Sequence, residues 1–287
     1  MNISFIGLGI MGLPMAQHLQ EKGDLFKVYN RTKKKADIFK ETDVEIADSP
    51  KAAAEGADIV IVIVSDSADV KEVVLGEQGV IHGIKKDAIV VDMSSINPEV
   101  TKEIGGELEK SGAHLVDAPV SGGEKGAQNA ALAIMCGGES AHIEKVKPYL
   151  DVMGKSVVHV GELGSGGYAK LANQVIVAIE LQAVSEAIYL AKQADLDIDA
   201  LYEAIRHGLA GSNVLDQKID NFKKETYDPG FKVKLHLKDM NNALQAAEAQ
   251  GITLPITSEL QKFMKEMTES GLEELDHSAL YQYLTAK

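Results

Sequence analysis

A single cysteine stands in 287 residues, so no disulfide can close within the chain. Cys136 lies in the apolar run 131–136, where a buried, inert thiol is expected. Only eight histidines are present, and no two stand at HxxxH or HExxH spacing, so no metal centre is expected. His207, His236 and His277 read as structural. Basic charge is also scarce: 29 Lys and Arg against 43 Asp and Glu leave a net charge of −14. That argues against a nucleic-acid surface, but a local basic pocket for a small anion stays open. The sequence does not open on a basic segment followed by a long apolar run, so a cytoplasmic chain without a signal peptide is expected. The longest apolar stretch is broken by Glu180 and Glu186, which argues against a membrane span. Low-complexity segments and long linkers are lacking as well.

What is present is the composition of an ordinary globular protein, 45% hydrophobic and 25% charged, long enough for one large or two ordinary domains. Residues 2–6 (NISFI) read as a strand that runs straight into Gly7-Leu8-Gly9-Ile10-Met11-Gly12. This is G-x-G-x-x-G between a strand and a helix at 11–22. The glycines serve a tight turn, close approach to a pyrophosphate and helix–strand contact, and the helix N-terminus supplies an anion site. Pro14 falls in the first helical turn, where its missing N–H costs little. After the next strand, 26–29, an NAD site expects a carboxylate for the ribose 2′-hydroxyl. The chain has Asn30-Arg31-Thr32 and three lysines there instead. Arg31 can fork onto a 2′-phosphate and Thr32 can donate to it, so NADPH is expected to be preferred over NADH.

Strand and helix patterns alternate as far as residue 160. Ser49-Pro50 and Asn97-Pro98 read as cap and first residue of helices. The run IVIVIV, 59–64, reads as a strand buried on both faces. The alternation implies a Rossmann-type doubly wound sheet, whose ligands lie outside the C-terminal strand ends. Val64 and Ser65, Ser95 and Ser121 are therefore candidate site walls. Beyond Gly161 only helices are expected, at 199–207, 212–224, 235–250, 255–270 and 278–285. The expected domains are 1–162, binding NADP, and 163–287, all-helical.

The two are joined by the stretch 164–196, a Gly-rich turn followed by about thirty residues without Gly or Pro, a helix on the order of 45 Å long. It is apolar on nearly every side, which predicts burial all round. Lys170, Asn173, Gln174 and Val177 share one face of its first turns. A lysine at a helix N-terminus and out of water is pushed towards a pKa suited to proton transfer. Taken alone, the segment fits equally a lysine that snorkels to solvent from the helix entrance. Lys238-Asp239, near another helix start, reads on its own as a surface ion pair worth ~0–1 kcal/mol.

Taken together these residues resemble the β-hydroxyacid dehydrogenase family over almost the whole length. The likeness rests on FIGLGIMGLPM at 5–15, DAPVSGG at 117–123 and the Gly-rich turn with K-x-x-N at 164–173. It implies a dehydrogenase of small β-hydroxyacids and semialdehydes and a homo-oligomer, dimer or tetramer. By the same resemblance Lys170 is the catalytic residue. Ser121, Gly122 and Gly123 hold the substrate carboxylate with Asn173 and Gln174 nearby, and Ser95 and Lys238 contact the cofactor. GLAGS at 208–212 with Val214-Leu215-Asp216, LHLKD at 235–239, LP at 254–255 and DHSAL at 276–280 are most similar to the branch that reduces tartronate semialdehyde. 3-Hydroxyisobutyrate, succinic semialdehyde and glyoxylate are the rival substrates. The commoner family pattern has Asn where this chain has Gln174 and Pro where it has Ser65.

Overall fold

The computed structural model describes residues 1–286. The chain divides into two compact units, Met1–Lys170 and Leu171–Lys287. The first contains β1 (Ile3–Ile6), α1 (Gly12–Glu21), β2 (Leu25–Tyr29), a 3₁₀ helix (Lys33–Phe39), β3 (Glu45–Ile46), α2 (Pro50–Ala54), β4 (Ile59–Val62), α3 (Ser67–Leu75) and β5 (Ile89–Asp92). It continues with α4 (Pro98–Lys110), β6 (His114–Asp117), β7 (Val120–Ser121), α5 (Gly123–Gln128), β8 (Leu132–Gly137), α6 (Ser140–Leu150) and β9 (Gly154–Gly161).

The first six strands are parallel in the order β3-β2-β1-β4-β5-β6, the doubly wound arrangement. Its order turns back at β1 and β4, where such sheets open a ligand crevice. Ile59 and Ile61 of β4 enter one apolar cluster with Phe5, Met15 and Val91. Val60 and Val62, facing the other way, enter a second with Ile6, Val90 and Ile104. The continuous β-branched run is thus explained by helices covering both faces. Ser49 Oγ accepts from Ala52 N–H and Asn97 Oδ1 from Glu99 N–H, each followed by Pro at the first helical position, as the sequence predicts.

Past β6 the winding breaks. β8 runs antiparallel to β6 and β7, and β9 then pairs parallel with β8. β3 and β7 escape sequence reading because two residues are too few to display a period, and α5 and the 3₁₀ helix at 33–39 are also absent from it.

The second unit is helical. α7 (Ser165–Gln193) begins within the first unit and continues through it. α8 (Ile198–Ile205), α9 (Asn213–Lys224), α10 (Val233–Ala249), α11 (Pro255–Glu269), a 3₁₀ turn (His277–Ala279) and α12 (Leu280–Thr285) follow. Ala178, Leu181 and Ile188 of α7 join Leu215, Phe222, Met240, Met264 and Tyr281 in one core. The expectation that α7 is buried all round is corrected: Ile176 is 58% and Leu190 72% exposed. One stripe packs and the opposite side does not. The argument from Glu180 and Glu186 also falls short, since with both glutamates this helix is still long and apolar enough to span a membrane, as the core helix of a globular domain can be. The packed stripe makes it the core helix of the second unit.

A buried polar knot sits in that core. His277 Nδ1 and His236 Nδ1 are 2.9 Å apart, so one nitrogen carries a proton that the other accepts. His236 Nε2 lies 3.3 Å from the Gln174 carbonyl oxygen, and Phe231 meets both rings edge-on. Beside them Asp276 accepts from Lys218 and Ser278. Burial, with His236 adjacent, holds the His277 pKa well below the usual histidine range. A depressed histidine pKa contributes stability that is present above the unfolded value of about 6.5 and lost as pH falls below it, at roughly 1.4 kcal/mol per pH unit. Asp276, also held low, keeps its share until the ordinary carboxylate range is passed. The urea midpoint should therefore drop between about pH 6.5 and 5, and His277→Asn should flatten that drop. A midpoint constant over this window would rule the account out.

Candidate active site

The Gly-rich loop is fixed by two different kinds of constraint. Gly7 has φ +101°, and a Cβ there would lie 2.0 Å from the Ile63 carbonyl oxygen. At Gly12 it would lie 1.9 Å from the Gly7 oxygen. Both glycines are required by the protein's own packing. Gly9 is different, because nothing lies within 4 Å of its missing Cβ. The open space there suits close approach of a ligand. Asn30 braces the loop: its Oδ1 accepts from Leu8 N–H at 2.8 Å and its Nδ2 donates to the Thr32 carbonyl at 3.0 Å. At the next strand ends Ser94, which sequence reading passed over in favour of Ser95, accepts from Val64 N–H at 2.9 Å and donates its own N–H to Asp92 at 2.9 Å.

A cavity of about 480 Å³ opens along these strand ends, within the size range of cofactor pockets. Gly7, Gly9, Asn30, Arg31, Thr32, Val64 and Ser65 all line it. Leu8 and Gly12 are buried beneath the loop and Ile10 is exposed. The segment just after β2 carries no carboxylate, but the fold brings others into the cavity wall. Asp48, Asp69 and Glu72 come into the wall from the β3–α2 connection and from α3. Arg31 Nη1 is 3.3 Å from Asp69 Oδ1, and Lys33 donates to Asp48 at 2.7 Å. A window around residue 30 could not show this, because the carboxylates arrive from up to 42 residues downstream through the winding of the sheet.

The start of α7 is clamped by Asp117, at the end of β6. Its Oδ1 accepts from Gly164 N–H and its Oδ2 from Gly167 N–H, both at 2.8 Å. The Asp117 side chain is buried. Burial pushes its pKa up, and the backbone N–H groups pull it back down. A Cβ at Gly166 would meet the Met135 oxygen at 2.4 Å, so the helix start lies directly against the strand ends. Lys170 follows on the second turn and is 8% exposed. Ser121 ends β7. Gly122 and Gly123 have φ +141° and +63°, which ordinary side chains resist. A Cβ at Gly123 would meet no atom within 4 Å. Cys136 is buried as expected, and burial pushes its thiol up to about 12.

In the second unit, Asn173 Nδ2 donates to Gln174 Oε1 at 2.8 Å, and Gln174 Nε2 donates to Asp239 Oδ2 at 2.6 Å. Gln174 and Asp239 are 4% and 1% exposed. Lys238 Nζ lies 3.3 Å from Asp239 Oδ1. The ion pair expected at 238–239 is present but is not a surface one: Asp239 is buried and reaches Gln174 of α7. Sequence spacing could not pair residues 65 positions apart.

Two family models match the chain in succession. The NAD binding domain of 6-phosphogluconate dehydrogenase matches residues 2–161, and the NAD-binding domain of NADP-dependent 3-hydroxyisobutyrate dehydrogenase matches 164–284. The 2-hydroxy-3-oxopropionate reductase of Escherichia coli is 40% identical over 284 residues, 99% of this chain and 97% of that one. The chloroplastic glyoxylate/succinic semialdehyde reductase 2 of Arabidopsis thaliana is 32% identical, over 99% of this chain and 80% of that one. The solved 3-hydroxyisobutyrate dehydrogenase of Mycobacterium tuberculosis, with L-serine, has a TM-score of 0.89 at 27% identity and covers 99% and 98% of the two chains. With its Gly-rich loop, its clamped lysine helix and both domains matched end to end, the chain belongs to the β-hydroxyacid dehydrogenase family of NAD(P)-binding oxidoreductases.

Proposed function

We propose that the protein reduces 2-hydroxy-3-oxopropanoate, tartronate semialdehyde, to D-glycerate with NADPH. The observation that carries the chemistry is Lys170, out of water on the second turn of a helix whose start is tied down by Asp117. The full-length likeness to the E. coli reductase supports the substrate. The open face at Gly9 and the cavity lined by Arg31 and Thr32 fit a dinucleotide phosphate. When bound, NADPH supplies hydride to the aldehyde carbon. Gly7, Gly9 and Gly12, with Leu8, Ile10 and Met11, form its pyrophosphate loop, braced by Asn30; Val64, Ser65, Ser95 and Lys238 contact it further along. The Ser121 hydroxyl and the N–H groups of Gly122 and Gly123 hold the substrate carboxylate, which orients the aldehyde. Lys170 stabilises the charge that grows on the carbonyl oxygen and protonates it. In the oxidative direction neutral Lys170 takes the proton back. Asn173 and Gln174 complete the substrate contacts. The exposed Ile176 and Leu190 of α7 support assembly into a homo-oligomer.

Arg31 is proposed to select NADPH, exchanging Asp69 for the 2′-phosphate. A charge-assisted hydrogen bond is worth about 1.5–3 kcal/mol, so Arg31→Ala should raise KM for NADPH by roughly tenfold or more. KM for NADH should change little. Equal effects on both coenzymes would remove Arg31 from the role. The function itself is tested by following NADPH oxidation with tartronate semialdehyde, succinic semialdehyde, methylmalonate semialdehyde and glyoxylate side by side. A dominant kcat/KM for the first is expected. Dominance of succinic semialdehyde or glyoxylate would favour the activity named for the Arabidopsis relative. No activity with any would leave a protein that binds NADP without catalysis.

A further inference from the structure

The proposed substrate differs from its rivals at the carbon beside the aldehyde, which carries a hydroxyl group. A site that selects for this needs a fixed hydrogen-bonding partner there. The chain Asp239–Gln174–Asn173 supplies the means of fixing one. A carboxylate accepts hydrogen bonds and cannot donate. Asp239 Oδ2, 2.6 Å from the Gln174 amide, therefore demands its NH₂ group; the reverse orientation would set two acceptors against each other. With its NH₂ turned to Asp239, Gln174 presents Oε1 to Asn173, which answers with its own NH₂ at 2.8 Å. The amide oxygen of Asn173 then points away from Gln174. Asn173 stands one turn after Lys170 on the same face of α7. An amide oxygen has two lone pairs, so it can accept from more than one group. Burial of Gln174 and Asp239 leaves little freedom for either to turn.

We propose that this relay is the specificity element of the proposed reaction. Asp239 and Gln174 are positioning residues that hold the Asn173 amide oxygen where it accepts the substrate's C2 hydroxyl, so that substrates with methyl or hydrogen at C2 are disfavoured. The inference rests on the substrate reading above.

The test is the ratio of kcat/KM for tartronate semialdehyde to that for methylmalonate semialdehyde, at saturating NADPH. Losses of folded enzyme or of cofactor affinity cancel in this ratio. In Asp239→Asn the new amide can donate to Gln174 Oε1, which lets the relay reverse. In Gln174→Asn the amide is one methylene too short to reach both partners. Gln174→Asn is expected to compress the ratio by about tenfold or more, and Asp239→Asn by less, because in the reversed relay the Asn173 NH₂ can still donate to the hydroxyl oxygen. The double variant Asp239→Asn/Gln174→Glu restores the polarity, because the carboxylate it introduces between the two amides accepts from both sides, and it should recover most of the ratio. If the wild type prefers tartronate semialdehyde and neither single variant compresses the ratio, or the double variant fails to recover it, the relay is structural and the inference falls alone. If the wild type shows no preference for the hydroxylated substrate, the substrate reading falls and takes the inference with it.

Discussion

Replacement of Lys170 by alanine is expected to lower kcat for semialdehyde reduction by about three orders of magnitude, within the range a positioned proton donor supplies. NADPH affinity, measured by fluorescence titration, should stay within about threefold, because every residue that lines the cofactor cavity lies between Ile6 and Gln78. The helix beneath the lysine does not depend on it, since α7 is started by Asp117 and packed by Ala178, Leu181 and Ile188. Lys170→Arg separates charge from proton transfer. A guanidinium stays protonated at any working pH, so it can stabilise a developing oxyanion but cannot serve as a base. Some reductive activity should survive in that variant and oxidation of D-glycerate should not. Loss of NADPH binding in parallel with turnover would make Lys170 a structural residue.

Much of this was legible in the sequence because it is written locally. The Gly-rich loop, the buried run at 59–62, the Ser49-Pro50 and Asn97-Pro98 helix starts and the helical second half each follow from a period or a cap within a short window. The resemblance named the family and pointed to Lys170 before any geometry was known. What stayed hidden depends on residues far apart in the chain. Asp69 reaches Arg31 across 38 positions and Asp239 reaches Gln174 across 65. No pattern announces either pairing, because a carboxylate on a polar helix face looks the same whether it meets water or a buried amide. The same holds for Ser94, one residue from the serine that the family likeness favoured. Apolar content likewise misled for α7, since composition counts side chains without saying which stripe finds a partner.

Asp117→Ala should be the most damaging change outside the residues proposed to meet substrate. It leaves the N–H groups of Gly164 and Gly167 buried without their acceptor, at about 1–3 kcal/mol each. The first turns of α7 should loosen, and displacement of Lys170 by an ångström is enough to cost about 100-fold in kcat/KM. Asp117→Asn decides between clamp and charge. Burial already disfavours the ionised carboxylate, so a neutral isostere relieves that penalty. It nevertheless turns an NH₂ group towards one of two N–H donors, so the variant should be less stable than the native chain. An Asp117→Asn variant more stable than the native protein would show that the two backbone bonds hold nothing together. Gly166→Ala approaches the same contact from the helix, because its Cβ would sit 2.4 Å from the Met135 oxygen and 2.8 Å from Asp117 Oδ2. Backbone atoms cannot give way cheaply, so both stability and turnover should fall. Gly106→Ala, in the middle of α4 with nothing within 4 Å, serves as the comparison. It should stabilise the protein by about 0.5–1 kcal/mol through helix propensity alone. The opposite signs of these two glycine substitutions in a thermal melt would separate tight contact at the start of α7 from the general cost of replacing a helical glycine.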